Sequence, residues 1–303
     1  MRIREIGERE LIRRLARRCP KDATVLEGIG DDAAVIRQTP GRSLLVTCDM
    51  LIEGVHFDIR SATPFQIGWK ALAVNISDIA AMGGVPRWAV ISLGLDRDCT
   101  VRFVDGIYRG IGAIARQFGV NIIGGDTNAS RYLVIDVALI GEVEQARQVT
   151  RRGARVGDII LVTGEIGAGG VRHLNFTPRL AESRKLVKEY AVHSMIDVSD
   201  GLLLDLGRIL DSSGVGALIY ENLIPVSRHA RSFRAGVTAG EDFELLFTMS
   251  SEETARFFRR YAASGIKVPV SVIGHIDKRR YGFRMKDRRG RIVALEPKGY
   301  EHF

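Results

Sequence analysis

Short apolar segments of strand character alternate with longer amphipathic ones along almost the whole chain, and this alternation most limits the folds open to it. Residues 33–37 and 43–48 read as a pair of short strands. Thr63 and Pro64 supply an N-cap and a first helical residue for a helix running to about residue 82. Gly83, Gly84 and Pro86 stop it. A strand at 88–95, a helix at 101–118 ended by Gly119, and strands at 120–123 and 133–141 follow. The same rhythm resumes with strands at 159–163, 195–198, 217–220, 245–249 and 268–273 and helices at 179–191, 201–211 and 251–264. The expected class is α/β (α+β). The basic stretch 145–157 divides it into an N-terminal α/β domain, 1–145, and a C-terminal α/β domain, 146–303.

At 303 residues, 46% apolar and 26% charged, the chain can bury the cores that two such domains need. No apolar run approaches the roughly 18–20 residues of a membrane helix. Residues 1–19 carry Ile3, Ile6, Leu11 and Leu15 on one helical stripe, but Glu5, Glu8 and Glu10 argue against a transit peptide, so the cytoplasm is the expected location. The widely spaced Cys19, Cys48 and Cys99 support neither a disulfide framework nor a structural zinc site. The net charge of +8 is scattered or held in short clusters without a nucleic-acid motif, so nucleic acid is not an expected partner. A positive background does attract anionic nucleotides.

Carboxylates recur beside glycine at predicted element ends. Asp31 and Asp32 follow Gly30, Asp49 closes a strand, and Asn75 and Asp78 share a helix face. Asp126 follows Gly124 and Gly125 after a strand ending at Ile123. Asp197, Ser199 and Asp200 join a strand to a helix, and Glu241 and Asp242 follow Gly240. One such segment is an ordinary turn; six in one chain suggest a site. If they converge, carboxylates about 4 Å apart repel by about 4 kcal/mol at an effective dielectric near 20, and cations must neutralise them. Oxygen-only donors select Mg²⁺, which shares carboxylates with substrate phosphates. No Walker, dinucleotide-binding or protein-kinase signature is present. The glycine-rich segment 163–170 follows a strand, and its N–H groups could cradle an anion or form an ordinary loop.

Taken in order, GIGDDAAV (28–35), TCDMLIEGVHF (47–57), KALAVNISDIAAMGG (70–84), IIGGDTN (122–128), IDVSDGL (196–202), AGEDFELLF (239–247) and the terminal KGYEHF resemble the thiamine-monophosphate kinase family. That family lies within the aminoimidazole-ribonucleotide synthetase superfamily. The resemblance implies two α/β domains with ATP between them and an N-terminal sheet that pairs across a homodimer, with strand edges near 43–48 and 88–95. It implies ATP as co-substrate, thiamine monophosphate as acceptor and several Mg²⁺ ions. Carried over by position, Asp32, Thr47, Asp49, Asp78, Asp126, Asp197 and Asp200 would ligate metal. Gly125, Asp126, Arg151 and Ser199 would hold the nucleotide, and His56, Glu241 and Phe303 the thiamine part. Two departures stand out: Cys48, where the family usually has Thr, and a shortened segment between Gly170 and Pro178. The expected reaction is direct in-line phosphoryl transfer to a phosphate oxygen, without a general base. The alternatives are another ATP-dependent enzyme of the superfamily, such as an aminoimidazole-ribonucleotide synthetase, or a non-catalytic nucleotide- or metal-binding homologue.

Overall fold

The computed structural model describes residues 2–27, 29 and 34–302. In chain order its first elements are α1 (Ile3–Ala16), β1 (Val25–Glu27), β2 (Val35–Ile36), β3 (Arg42–Ile52), α2 (Pro64–Ala81), β4 (Val85–Leu95), α3 (Val101–Phe118), β5 (Asn121–Ala129) and β6 (Val134–Glu144). There follow β7 (Ile159–Thr163), α4 (Gly169–Arg172), α5 (Leu180–Glu189), β8 (Val192–Asp197), α6 (Leu202–Ser213) and β9 (Gly216–Tyr220). The last are α7 (Phe233–Thr238), β10 (Leu245–Met249), α8 (Ser251–Arg260), β11 (Val270–Asp277), β12 (Phe283–Lys286) and β13 (Ile292–Ala294). Two compact units result: Met1–Ile79 with Gly84–Gln145 and Leu174–Thr177, and Ala80–Gly83 with Ala146–His173 and Pro178–Phe303. Among the described residues no helix is long and apolar enough to cross a membrane.

The first unit is built on a four-stranded sheet ordered β3-β6-β4-β5. β3 and β6 pair antiparallel from Arg42↔Glu144 to Ile52↔Val134, while β4 and β5 run parallel, joined through α3. Thr100 caps α3 by accepting the Phe103 N–H at 3.2 Å, and Gly119 ends it in the left-handed region at φ 69°. Helices α2 and α3 touch backbone to backbone, because a Cβ at Gly68 would lie 2.0 Å from the Ile107 carbonyl oxygen. Leu45 and Leu51 of β3 are buried, whereas Leu44, Val46 and Met50 on the alternate positions are 43%, 72% and 52% exposed. The sheet therefore has one packed face and one open apolar face. In α1, Leu11 and Leu15 are buried as the helical stripe requires; the side chains of Ile3 and Ile6 lie outside the described set.

Three expectations are corrected here. Asp49 does not end a strand, since β3 continues to Ile52 under full pairing with β6. Asp126 does not follow one, since β5 continues through Gly124 and Gly125 to Ala129 while pairing with β4. Glycine weakens a strand without ending it when a neighbour supplies the ladder. Nor is 88–95 a sheet edge: β4 has β6 on one side and β5 on the other, leaving β3 and β5 as edges.

The second unit carries a seven-stranded sheet ordered β13-β12-β9-β11-β7-β10-β8, antiparallel apart from the β9–β12 pair. Period-two alternation serves both faces. Ile160, Val162, Ile196 and Leu246 join Leu206, Ile209 and Leu210 of α6 in one core. Leu161, Met195, Leu245 and Phe247 join Leu186 of α5 and Phe257 of α8 in the other. No expectation covered α7 or the β12–β13 hairpin.

Candidate active site

In the first unit, Thr47 and Asp49 occupy alternate positions of β3 and so share its packed face. α2 lies against them, and the Thr47 hydroxyl donates to Asp78 Oδ2 at 2.5 Å. One turn before Asp78, Asn75 is fully buried; its amide nitrogen donates to the Ala71 carbonyl at 3.1 Å. The Asn75 Oδ1 has no hydrogen-bond partner among the described residues. A buried acceptor left unpaired one helical turn from a carboxylate-bearing residue suits a hard cation or its bound water.

Asp126 stands elsewhere. It pairs across β4 with Ser92, which pairs with Asp136, which pairs with Met50. Directly opposed residues share a face, so Asp126 projects with Asp136 and Met50 on the open side, away from Thr47 and Asp49. It is exposed, and its carboxylate accepts the Thr127 N–H at 2.8 Å and the Asn128 amide at 2.7 Å. His56 is half-buried; its Nδ1 accepts the Ile52 N–H at 3.0 Å, and its carbonyl accepts from the buried Lys70 Nζ at 2.7 Å. A pocket opens beside Gly125 and Asp126, lined by Ile12, Leu15 and Ala16 of α1, Ile91 of β4 and Tyr108 of α3. Burial holds the Tyr108 phenol well above its usual range. Sequence reasoning missed Tyr108 and read Leu15 only as packing; the amphipathic stripe of α1 was the available signal. Asp32 and Phe303 lie outside the described residues.

In the second unit three segments interlock. Asp197 ends β8 and is buried, and the Ser199 carbonyl accepts the Glu241 N–H at 2.7 Å. Gly201, at φ 117°, sits so close that a Cβ would lie 2.8 Å from the Thr238 carbonyl oxygen. Glu241 and Phe243 themselves hold positive φ of 67° and 52°, strain that concentrates at functional segments. Asp242 explains how they keep it: its carboxylate accepts the N–H groups of Gly167, Ala168 and Gly169 at 2.7, 2.8 and 2.9 Å. These three amides of the glycine-rich loop are thus given to a side chain of the protein, and of the two readings of that loop the ordinary loop is the one this geometry favours. Burial pushes the Asp242 carboxyl up to about 6 against those three donors. Asp205, fully buried in α6, is likewise pushed up to about 6 by burial. The Glu241 carboxylate meets His173 Nδ1 at 3.1 Å, and Arg151 is exposed, its carbonyl accepting from Ser213 Oγ at 3.2 Å.

Among the described residues no three carboxylate, His or Cys side chains gather closely enough to hold an ion unaided. Within the first unit, β3 and β5 turn Asp49 and Asp126 to opposite faces of one sheet, so these two carboxylates do not converge within the protomer. What does meet is the Thr47 hydroxyl and the Asp78 carboxylate, with Asp49 on the same face of β3 and Asn75 one turn before Asp78 on α2, and this donor set is oxygen-only. It fits Mg²⁺ that takes its remaining ligands from phosphate and water.

The sequence matches the model of the AIR synthase related protein N-terminal domain over residues 30–143 and of the C-terminal domain over 155–286. It is 34% identical to the thiamine-monophosphate kinase of Bacillus subtilis (strain 168), over 98% of this chain and 100% of that one. The crystal structure of thiamine-monophosphate kinase from Stenotrophomonas maltophilia K279a superposes with a TM-score of 0.79 at 31% identity, covering 96% of each chain. AaThiL complexed with AMPPCP and TMP superposes with a TM-score of 0.75 at 31% identity, over 100% of this chain and 99% of that one.

Proposed function

The chain belongs to the thiamine-monophosphate kinase family of AIR synthase related proteins, and we propose that it transfers the γ-phosphoryl group of ATP directly, in line, to the phosphate of thiamine monophosphate, yielding thiamine pyrophosphate and ADP. The observation that carries this reading is end-to-end similarity to a relative solved with AMPPCP and TMP, joined to an oxygen-only donor set on the packed face of β3.

The acceptor phosphate oxygen is already deprotonated, so catalysis is positioning and charge neutralisation. Mg²⁺, when bound, supplies the positive charge that brings donor and acceptor phosphates together. Thr47, Asp49 and Asp78 in the first unit and Asp197 and Asp200 in the second would be protein ligands of several such ions. The apolar pocket walled by Ile12, Leu15 and Tyr108 suits a purine ring, with phosphates leaving past Gly125 and Asp126. Ser199 and Arg151 would hold the nucleotide's phosphates, while His56 and Glu241 would hold the thiamine. Lys70 orients the first and the left-handed backbone at Glu241 the second. The open apolar face of β3, with Val46 and Met50 exposed, favours a homodimer formed across it.

A coupled ADP-release assay across acceptors tests the reading. Thiamine monophosphate should support turnover, whereas free thiamine, lacking the phosphate that shares the metal, should not. Equal use of free thiamine, or turnover only with aminoimidazole precursors, refutes it.

A further inference from the structure

The loop carrying Asp197, Ser199 and Asp200 is secured from behind by two residues of α6 that the sequence did not single out. Asp205 is fully buried, and its Oδ2 accepts the N–H groups of Asp200 at 3.0 Å and Gly201 at 3.2 Å. It thereby serves the orphan donors at the start of α6 from inside the helix. Its Oδ1 takes Arg208 Nη1 at 2.5 Å, and the same Nη1 reaches Asp200 Oδ2 at 2.6 Å. One guanidinium thus bridges two carboxylates. The Asp200 main chain is held on the other side, where its carbonyl accepts the Tyr300 N–H at 2.8 Å. Gly299 packs so closely that a Cβ would lie 2.3 Å from that oxygen. With the backbone fastened at both ends, Arg208 is the group that sets where the Asp200 carboxylate points.

We propose that Arg208 is an internal counter-ion that holds Asp200 in the absence of a divalent cation and yields it to the cation on binding, keeping its bond to Asp205. This rests on the reading of Asp200 as a metal ligand. The physical case is charge and shape. Two carboxylates sharing one cation retain a net negative charge, so a divalent ion is still attracted. The same Nη1 meets both carboxylates, so it can release Asp200 while its other N–H keeps Asp205. The partly exposed pair with Asp200 is weak enough to be displaced, whereas Asp205 is buried and retains its partner. Arg208 is therefore a positioning residue: it prevents the loop from splaying when empty and competes modestly with the metal.

The test is Mn²⁺ binding to the full chain with AMPPCP present throughout, counted by electron paramagnetic resonance, alongside melting temperature with the same nucleotide in EDTA and in Mg²⁺. Arg208→Gln should bind Mn²⁺ about three- to tenfold more tightly, since no competing cation must be displaced. It should also melt earlier in EDTA and recover on adding Mg²⁺. Arg208→Lys, which keeps the charge, should return Mn²⁺ affinity toward the wild-type value. It also serves if Arg208→Gln does not fold. A melting temperature lowered equally with and without Mg²⁺, with unchanged Mn²⁺ affinity, would make Arg208 a purely structural residue and overturn the proposal, as would Arg208→Lys binding metal more tightly than wild type. Asp200→Asn separates the underlying reading. If it leaves Mn²⁺ binding unchanged, Asp200 is no ligand and both ideas fall. If it weakens binding while Arg208→Gln has no effect, only the counter-ion role falls.

Discussion

Replacing Asp126 with Asn separates a turn-forming carboxylate from one that serves chemistry. The side chain is exposed on the open face of β5, so the change removes a charge at nearly constant volume without uncovering a buried donor. Its two hydrogen bonds, from the Thr127 N–H at 2.8 Å and the Asn128 amide at 2.7 Å, can largely be re-formed by an Asn oxygen and a rotated partner amide. Folding stability should therefore change by less than about 1 kcal/mol, a shift of at most about 2–3 °C in Tm. If Asp126 helps hold metal-bound phosphates, the lost transition-state stabilisation is about 3–4 kcal/mol, and kcat falls by about 10²–10³-fold. Melting in EDTA and steady-state ADP release at saturating Mg²⁺ measure the two quantities on one preparation. A variant that melts 5 °C early yet turns over at the wild-type rate would refute the reasoning.

Three other outcomes follow from the geometry. Gly201→Ala forces a side chain into left-handed backbone at φ 117° and within 2.8 Å of the Thr238 carbonyl, so unfolding free energy should drop by about 2 kcal/mol or more in denaturant titration. Partial desolvation and the Asp136 carboxylate, 3.2 Å from its Sγ, push the solvent-exposed Cys48 thiol up to about 11, burial and Asp96 take Cys99 to about 11, and burial alone takes Cys19 to about 12. The thiolate appears only as pH climbs toward those values, so alkylation by iodoacetamide at pH 7.5 should be about a hundredfold slower than for a free thiol and accelerate above pH 10. Val46→Asp places a charge at the most exposed apolar position of the open β3 face. Sedimentation should show dimer for the wild type and protomer for the variant, and an unchanged dimer would move the interface elsewhere.

Local signals carried far because they are local in origin. The Gly119 terminus of α3, the continuous apolar runs of β7 and β10, and Pro64 at the start of α2 follow from backbone sterics and short-range patterning. The ordered carboxylate motifs likewise carry the resemblance to the family to which the chain belongs. Strand limits were harder, because Gly124 and Gly125 look like an end until β4 is seen to pair past them. Facing was harder still. Whether Asp49 and Asp126 share a side of the sheet depends on a register running from β3 through β6 and β4 to β5, which joins residues far apart in sequence. The same holds for Asp242, whose carboxylate claims the amides of a loop more than 70 residues away. Sequence spacing determines what a segment can become, while long-range pairing decides which atoms it meets, since hydrogen-bond partners and burial are properties of neighbours brought together only by the folded chain.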